Sequence, residues 1–201
     1  MKTAFLTIFS ALVLVSGIAN TTYAAAPAKN QNFTVLTGIS AINKIEVHGN
    51  VELYISDGSS DQVKVYNQYY AESALVQSRN GVLRISSYKN EKLVVWVTAN
   101  DLRSITAYDN AEVKSFGDLS KIDFEVELHN NASARLNIEA FNANITVNDR
   151  ATADLSGKAN DLTIKHSVGS TVNNYNFSAI HYNESRTGVA AEVKNEDIAT
   201  L

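Results

Sequence analysis

Asp109, His129 and Asp149 follow one another at intervals of twenty residues. Two carboxylates with an imidazole between them are the raw material of acid–base chemistry on sugars. Two carboxylates beside amide oxygens are the raw material of a Ca²⁺ site. The three residues belong to two runs of equal phase, one reading Asp109, Asn130, Asp149, Val168 and its neighbour Tyr108, His129, Asn148, Ser167. Ca²⁺ requires several oxygens at about 2.3–2.6 Å, and two carboxylates with one amide make a sparse set. Glycoside cleavage requires two carboxyls about 5 Å or about 6.5–9.5 Å apart. Asp109 and Asp149, two strand spacings apart in a stack, would be separated by roughly 10 Å. Asn and Asp in turns also do simpler work, because they tolerate left-handed backbone and hydrogen-bond locally. The expectation is therefore no catalytic residue, no metal site and no cofactor, with Asp109 and Asp149 as exposed turn formers. His166, alone in a run with Ala107, Leu128 and Val147, reads as a hydrogen-bonded core or corner residue.

The second chemistry on offer is stacking. Trp96 alternates with Val95 and Val97 and so faces opposite to them. With tyrosines such as Tyr66, Tyr69, Tyr70, Tyr88 and Tyr108 it either furnishes a carbohydrate-stacking face or packs beneath the N-terminal strands. The surface candidates are thus Trp96, Tyr108, His129, Asp109 and Asp149. No Ser/His/Asp context, phosphate-binding glycine loop or His-rich metal motif accompanies them.

These residues need strands to position them. From Phe33 onward the apolar pattern has period 2: Ile45, Val47, Val51, Leu53 and Ile55 alternate with polar or amphipathic neighbours. Asn80-Gly81 is a hairpin turn signal. The best helix candidate is Tyr70–Gln77. In the second half a small residue followed at +2 by a small or β-branched one recurs as Ala111/Val113, Ala132/Ala134, Ala151/Ala153, Ser170/Val172 and Ala191/Val193, at spacings of 21, 19, 19 and 21 residues. Upstream of these stand Ile105, Val126, Ile145, Ile164 and Ser185, then Ala107, Leu128, Val147, His166 and Thr187. One strand–turn–strand unit cannot bury its apolar face alone, but units stacked about 4.8 Å apart share an interior. The expected fold is all-β, a parallel β-helix with rungs of about 19–21 residues. A β-sandwich is the alternative, although strands at its usual 8–12-residue spacing would not predict a steady 19–21 register.

The chain carries a formal net charge of −4 and no cysteine. No Lys/Arg cluster exceeds two residues, which argues against nucleic acid as a partner. Without cysteine there is no thiol catalysis, thiolate ligand or disulfide. The N-terminus reads as a secretory signal: Lys2, an apolar run from Ala4 to Val15, then small residues at Thr22-Tyr23-Ala24-Ala25-Ala26. That run is short of the roughly 20 residues a membrane helix needs. The expected organisation is a signal peptide over 1–24, a linker over 25–32 and one domain over 33–201. The protein is then exported to the periplasm, the cell surface or the medium, and is not membrane-embedded.

Val47-His48-Gly49-Asn50-Val51-Glu52-Leu53-Tyr54-Ile55, followed by Gly58, resembles the opening strands of the head GIN domain family, described as autotransporter adhesins. Gly81-Val82-Leu83-Arg84-Ile85 is similar to that family's G-x-L-x-I strand. The stretch from Val95 to Ile105 is similar to its strand and corner, without the usual corner proline. Asp109-Asn110-Ala111-Glu112-Val113 corresponds in position to its S-G-S-G-D-V repeat, without the glycines. The resemblance covers roughly Ile42 to Val193. It implies the right-handed β-helix and a bacterial cell-envelope protein, and it supplies no mapped binding or catalytic residues. The function expected is non-enzymatic: an adhesin or binding module presenting a surface to a glycan, an envelope protein or a second copy in a homo-oligomer. A polysaccharide-active enzyme on the same scaffold is the alternative.

Overall fold

The computed structural model describes residues 33–188, apart from 38, 40 and 67–73. The expected signal peptide and linker lie outside the described residues, as do Tyr69, Tyr70 and the Ala191/Val193 pair.

The period-2 pattern becomes strand throughout. The chain runs through β1 (Thr34–Val35), β2 (Lys44–Gly49), β3 (Val51–Asp57), β4 (Gln62–Val65), β5 (Ala74–Arg79), β6 (Val82–Ser87) and β7 (Leu93–Ala99). It continues with β8 (Ser104–Ala107), β9 (Glu112–Ser115), β10 (Leu119–Leu128), β11 (Ser133–Val147), β12 (Thr152–Ser167) and β13 (Thr171–Thr187). All 13 strands among the described residues join one sheet. A sandwich would require two antiparallel sheets, whereas the ladders joining successive rungs here are parallel. No helix among the described residues is long and apolar enough to cross a membrane.

The helix candidate is corrected where it is described: Ala74–Gln77 is strand. Asn80 and Gly81 adopt φ of 52° and 80°, the turn geometry that matches strand twist. They fold β5 back antiparallel on β6, with Gln77 opposite Arg84, and the cross-strand bonds outweigh a weak helical pattern.

In the second half the columns are in register. Val126, Ile145 and Ile164 are successive partners across β10, β11 and β12, as are Leu128, Val147 and His166. Beyond the turn, Ala134, Ala153 and Val172 align in the same way. Ala111, Ala132 and Ala151 are fully buried, while Ser133 is half-buried and Thr152 exposed. Each buried Val, Leu or Ile in this interior contributes about 1.5–3 kcal/mol relative to leaving it in water.

The last strand departs from the even repeat. Asp154 pairs with Asn173 but Ser156 with Asn176, so β13 holds one extra residue. The shift places Glu184 and Arg186 opposite Ile164 and His166, where the sequence pattern expects Ser185 and Thr187. His166 Nε2 lies 3.0 Å from the Glu184 carboxylate. Tyr182 donates its hydroxyl hydrogen to Glu184, and Asn174 Nδ2 donates to Tyr182 at 3.1 Å. A bulge and inward charges are how natural sheets blunt an exposed edge.

The first half is interleaved. β2 pairs with β6 on one side and β8 on the other, and β3 likewise lies between β7 and β9. The β2–β3 unit, first in sequence, is therefore sandwiched between two later ones. Gly49 makes the corner possible: its φ is 82°, and a Cβ there would stand 2.1 Å from the Ser87 carbonyl oxygen. Antiparallel β4 and β1 extend the sheet beyond β7, and β5 extends it beyond β6.

Candidate functional site

Asp109, Asn130 and Asp149 occupy the same left-handed turn position in three successive units, with φ of 62°, 60° and 55°. That conformation is costly for most residues and mild for Asn and Asp. Each side chain reaches back to the equivalent backbone N–H of the unit beside it. The Asp149 carboxylate accepts from Asn130 N at 2.8 Å, Asn130 Oδ1 from Asp109 N at 3.2 Å, and the Asp109 carboxylate from Gly49 N at 3.0 Å. The two aspartates are rungs of a turn ladder. Backbone bonds run beside it, Asn131 N to Asp109 O and Arg150 N to Asn130 O, both 2.9 Å. The fourth turn differs. Val168 holds no such place, and the Ser167 hydroxyl donates to Asp149 O instead, at 2.8 Å.

Tyr108 and His129 lie one residue before that ladder and stack on each other, ring centroids 4.7 Å apart and nearly parallel at 10°. His48 continues the stack above Tyr108 at 4.4 Å and 4°. The spacing is the strand-to-strand distance of the sheet, so pairing of the β2 and β8 backbones sets the ring separation. His129 Nδ1 faces Asn148 Nδ2 at 3.4 Å. Its buried Nε2 has no hydrogen bond and lies 3.8 Å from Glu127. Sequence reasoning missed His48, because the phase linking it to Tyr108 spans 60 residues and skips the intervening units.

Trp96 stands apart from this column. Val95 and Val97 are buried, which turns Trp96 to the outer face of β7. There it stacks on Tyr54 of β3 at 4.8 Å and 20°. Phe116 packs on it at 5.4 Å and Tyr66 at 6.5 Å, both tilted, and Phe33 lies 5.0 Å from Tyr66. Phe116 is 65% exposed, so the cluster is open to solvent on one side. The neighbouring column is ionic. Lys114 bridges Glu52 at 2.5 Å and Glu112 at 3.3 Å, and Lys92 reaches Glu112 at 2.5 Å. The Tyr54 hydroxyl donates to Glu52 at 2.8 Å, and Lys114 Nζ lies 5.6 Å from the Tyr54 ring centre. The Lys114 ammonium holds the Glu52 carboxyl below its ordinary pKa, Lys92 does the same for Glu112, and Glu52 raises Lys114 in turn. Of the sequence candidates, Tyr108 and His129 are brought into contact, and Asp109 and Asp149 join through Asn130. Trp96 keeps separate company. Among the described residues no group of three His, Cys, Asp or Glu side chains is arranged to hold a metal.

The family description "Putative auto-transporter adhesin, head GIN domain" matches residues 41–191. The chain belongs to this family. No curated protein matches it. Among solved structures, the chain is similar in fold to a putative adhesin from Parabacteroides merdae, 14% identical, with a TM-score of 0.63 over 78% of this chain and 77% of that one. A putative adhesin from Parabacteroides distasonis is 14% identical, with a TM-score of 0.57 over 77% and 78% of the two chains. A putative lipid binding protein from the same organism is 10% identical, with a TM-score of 0.56 over 78% and 79%. At these identities the likeness is one of fold.

Proposed function

We propose that this head GIN chain is an exported, non-enzymatic binding module whose Trp96-centred outer face takes a glycan of the cell surface or its surroundings. The observation that carries the reading is the outward stack of Trp96 on Tyr54, opened by Phe116 and bordered by paired charges. A flat aromatic surface with polar groups at its rim suits a sugar ring, which has apolar C–H faces and a hydroxyl periphery. The turn ladder at Asp109 and Asp149 supports a binding rather than a hydrolytic role, because Asn130 stands between the two carboxylates and keeps them two strand spacings apart. The stack of parallel, in-register units is read as a right-handed parallel β-helix, whose rigid columns preset the ring positions before any ligand arrives. Adhesin is the family's description, and the names of the Parabacteroides adhesins agree with it.

Export rests on the N-terminal pattern. Mass spectrometry of protein recovered from the envelope or medium should find a chain beginning between Ala25 and Pro27, and an intact Met1 there would overturn the assignment. Binding is tested on a glycan array followed by titration of the best ligand. Trp96→Ala should weaken it at least tenfold, about 1.4 kcal/mol, with an unchanged circular dichroism spectrum. Undiminished binding by Trp96→Ala would remove the face from consideration.

A further inference from the structure

A hollow of about 580 Å³ opens where the β2–β3 corner meets the turn between β8 and β9, and it shares no residue with the Trp96 face. Gly49 and Asn50 form one wall, Tyr88 and Lys89 the second, and Asp109 and Asn110 the third. We propose that this hollow is a second sugar-binding site, independent of the first, taking a single uncharged pyranose ring.

The polar groups are held in place before any ligand binds. Asp109 has its backbone fixed in the left-handed region, at φ 62°, and its carboxylate is anchored by Gly49 N at 3.0 Å. Asn110 Oδ1 accepts from Asn131 Nδ2 at 3.3 Å. Asn50 Nδ2 donates to the carbonyl oxygens of Lys89 and Asn90 at 3.1 and 3.0 Å, which ties the first wall to the second. Fixing these groups in advance lowers the ordering cost of binding.

The chemistry of the walls selects the ligand class. Tyr88 is 74% exposed, an apolar ring face in water at the edge of a polar hollow. Partial desolvation at the wall of the hollow and the nearby Asp109 carboxylate raise the pKa of its hydroxyl, which remains a neutral phenol at physiological pH. A carboxylate is an acceptor with about four lone-pair sites. Gly49 N occupies one of them, which leaves capacity for donors from a ligand. Hydroxyl groups are such donors and also accept from carboxamides. The hollow carries one acid, Asp109, and one base, Lys89, so it offers no net charge to an ionic ligand. An aromatic face beside a fixed acceptor, with amides at the rim, fits a neutral sugar better than an extended peptide, which would look for a free strand edge.

The test uses ¹⁵N-labelled protein titrated with methyl β-D-glucopyranoside, methyl β-D-galactopyranoside and methyl α-D-mannopyranoside, with glucuronate as the charged control. At least one neutral sugar should shift the amide signals of Asn50, Lys89 and Asn110 saturably, with a Kd on the order of millimolar for a ligand of this size. Tyr88→Ala should weaken that binding at least tenfold, Tyr88→Phe should keep most of it, and Trp96→Ala should leave it unchanged. Asn110→Ala, a milder change at the opposite wall, should weaken it severalfold and guards against misfolding of Tyr88→Ala. The proposal is overturned if no sugar shifts these signals, if Tyr88→Ala and Asn110→Ala both bind as the parent does, or if glucuronate binds more tightly than every neutral sugar. Loss of the array signal on Trp96→Ala with the Tyr88 response intact would leave both sites standing as separate. An array signal that still depends on Trp96, with no sugar shifting Asn50, Lys89 or Asn110, would sink this one alone.

Discussion

The two halves of the sheet solve the same packing problem differently. From β10 to β13 the chain climbs one unit at a time, on strands of 10 to 17 residues that pair with their sequence neighbours. From β1 to β9 the strands are 2 to 7 residues long, antiparallel pieces flank the stack, and β2–β3 is inserted between units that follow it in sequence. The regular half carries repeated turn and amide ladders on its outer face, beside the exposed side chains of Ile122, Phe141 and Ile180. The aromatic cluster and the Tyr88 hollow both lie in the irregular half. Regular repetition gives a rigid scaffold with monotonous columns, whereas interleaving brings unlike residues side by side, and unlike neighbours are what a binding surface requires.

The sharpest way to break this contrast is to overpack the regular half. Ala151 is fully buried between the equivalent positions Ala132 and Ser170. Ala151→Leu should cost about 1–3 kcal/mol, read as a lowered denaturant midpoint. Thr152→Leu, next in sequence and exposed, should stay within about 0.5 kcal/mol. Equal losses would show that the alternation of inside and outside does not govern this half.

A smaller effect sharpens the irregular half. Glu52, Glu112 and Glu46 all have lowered pKa values, Glu52 through Lys114, Glu112 through Lys92 and Glu46 through Arg84 and Lys44 against a desolvation penalty. A carboxyl with a depressed folded pKa contributes stability above its unfolded value, about 4.3. That contribution is lost as the pH falls through the still lower folded value. Acidification from pH 6 to pH 3 should therefore loosen β3 and β9 before β11 and β12. These pairs are partly solvated, so the melting temperature should fall by only a few degrees. Hydrogen exchange read at both pH values checks the order, and uniform loss of protection would count against it.

Much of the architecture was legible because it is local. Val126, Ile145 and Ile164 announce their column by equal spacing, and Asn80-Gly81 announces its hairpin. The site was legible in pieces. Trp96 is turned outward by Val95 and Val97, but nothing in the sequence says that Tyr54 lies beneath it. Tyr108 and His129 share a phase, yet His48 joins them only because β2 pairs with β8. Tyr88 carries no pattern at all, and its position above Asp109 follows from β6 lying beside β2.

The sequence by itself determined the period-2 alternation, the apolar face it gives each strand, and the step of 19–21 residues in the second half. A strand's alternation is a property of its own backbone, and a repeated unit repeats the same choice. Only the tertiary structure decided the order of units in the first half and the one-residue shift that brings Glu184 and Arg186 beneath Ile164 and His166. Backbone N–H and C=O groups are alike at nearly every residue, so they cannot choose between partners. Side-chain packing across distant segments makes that choice.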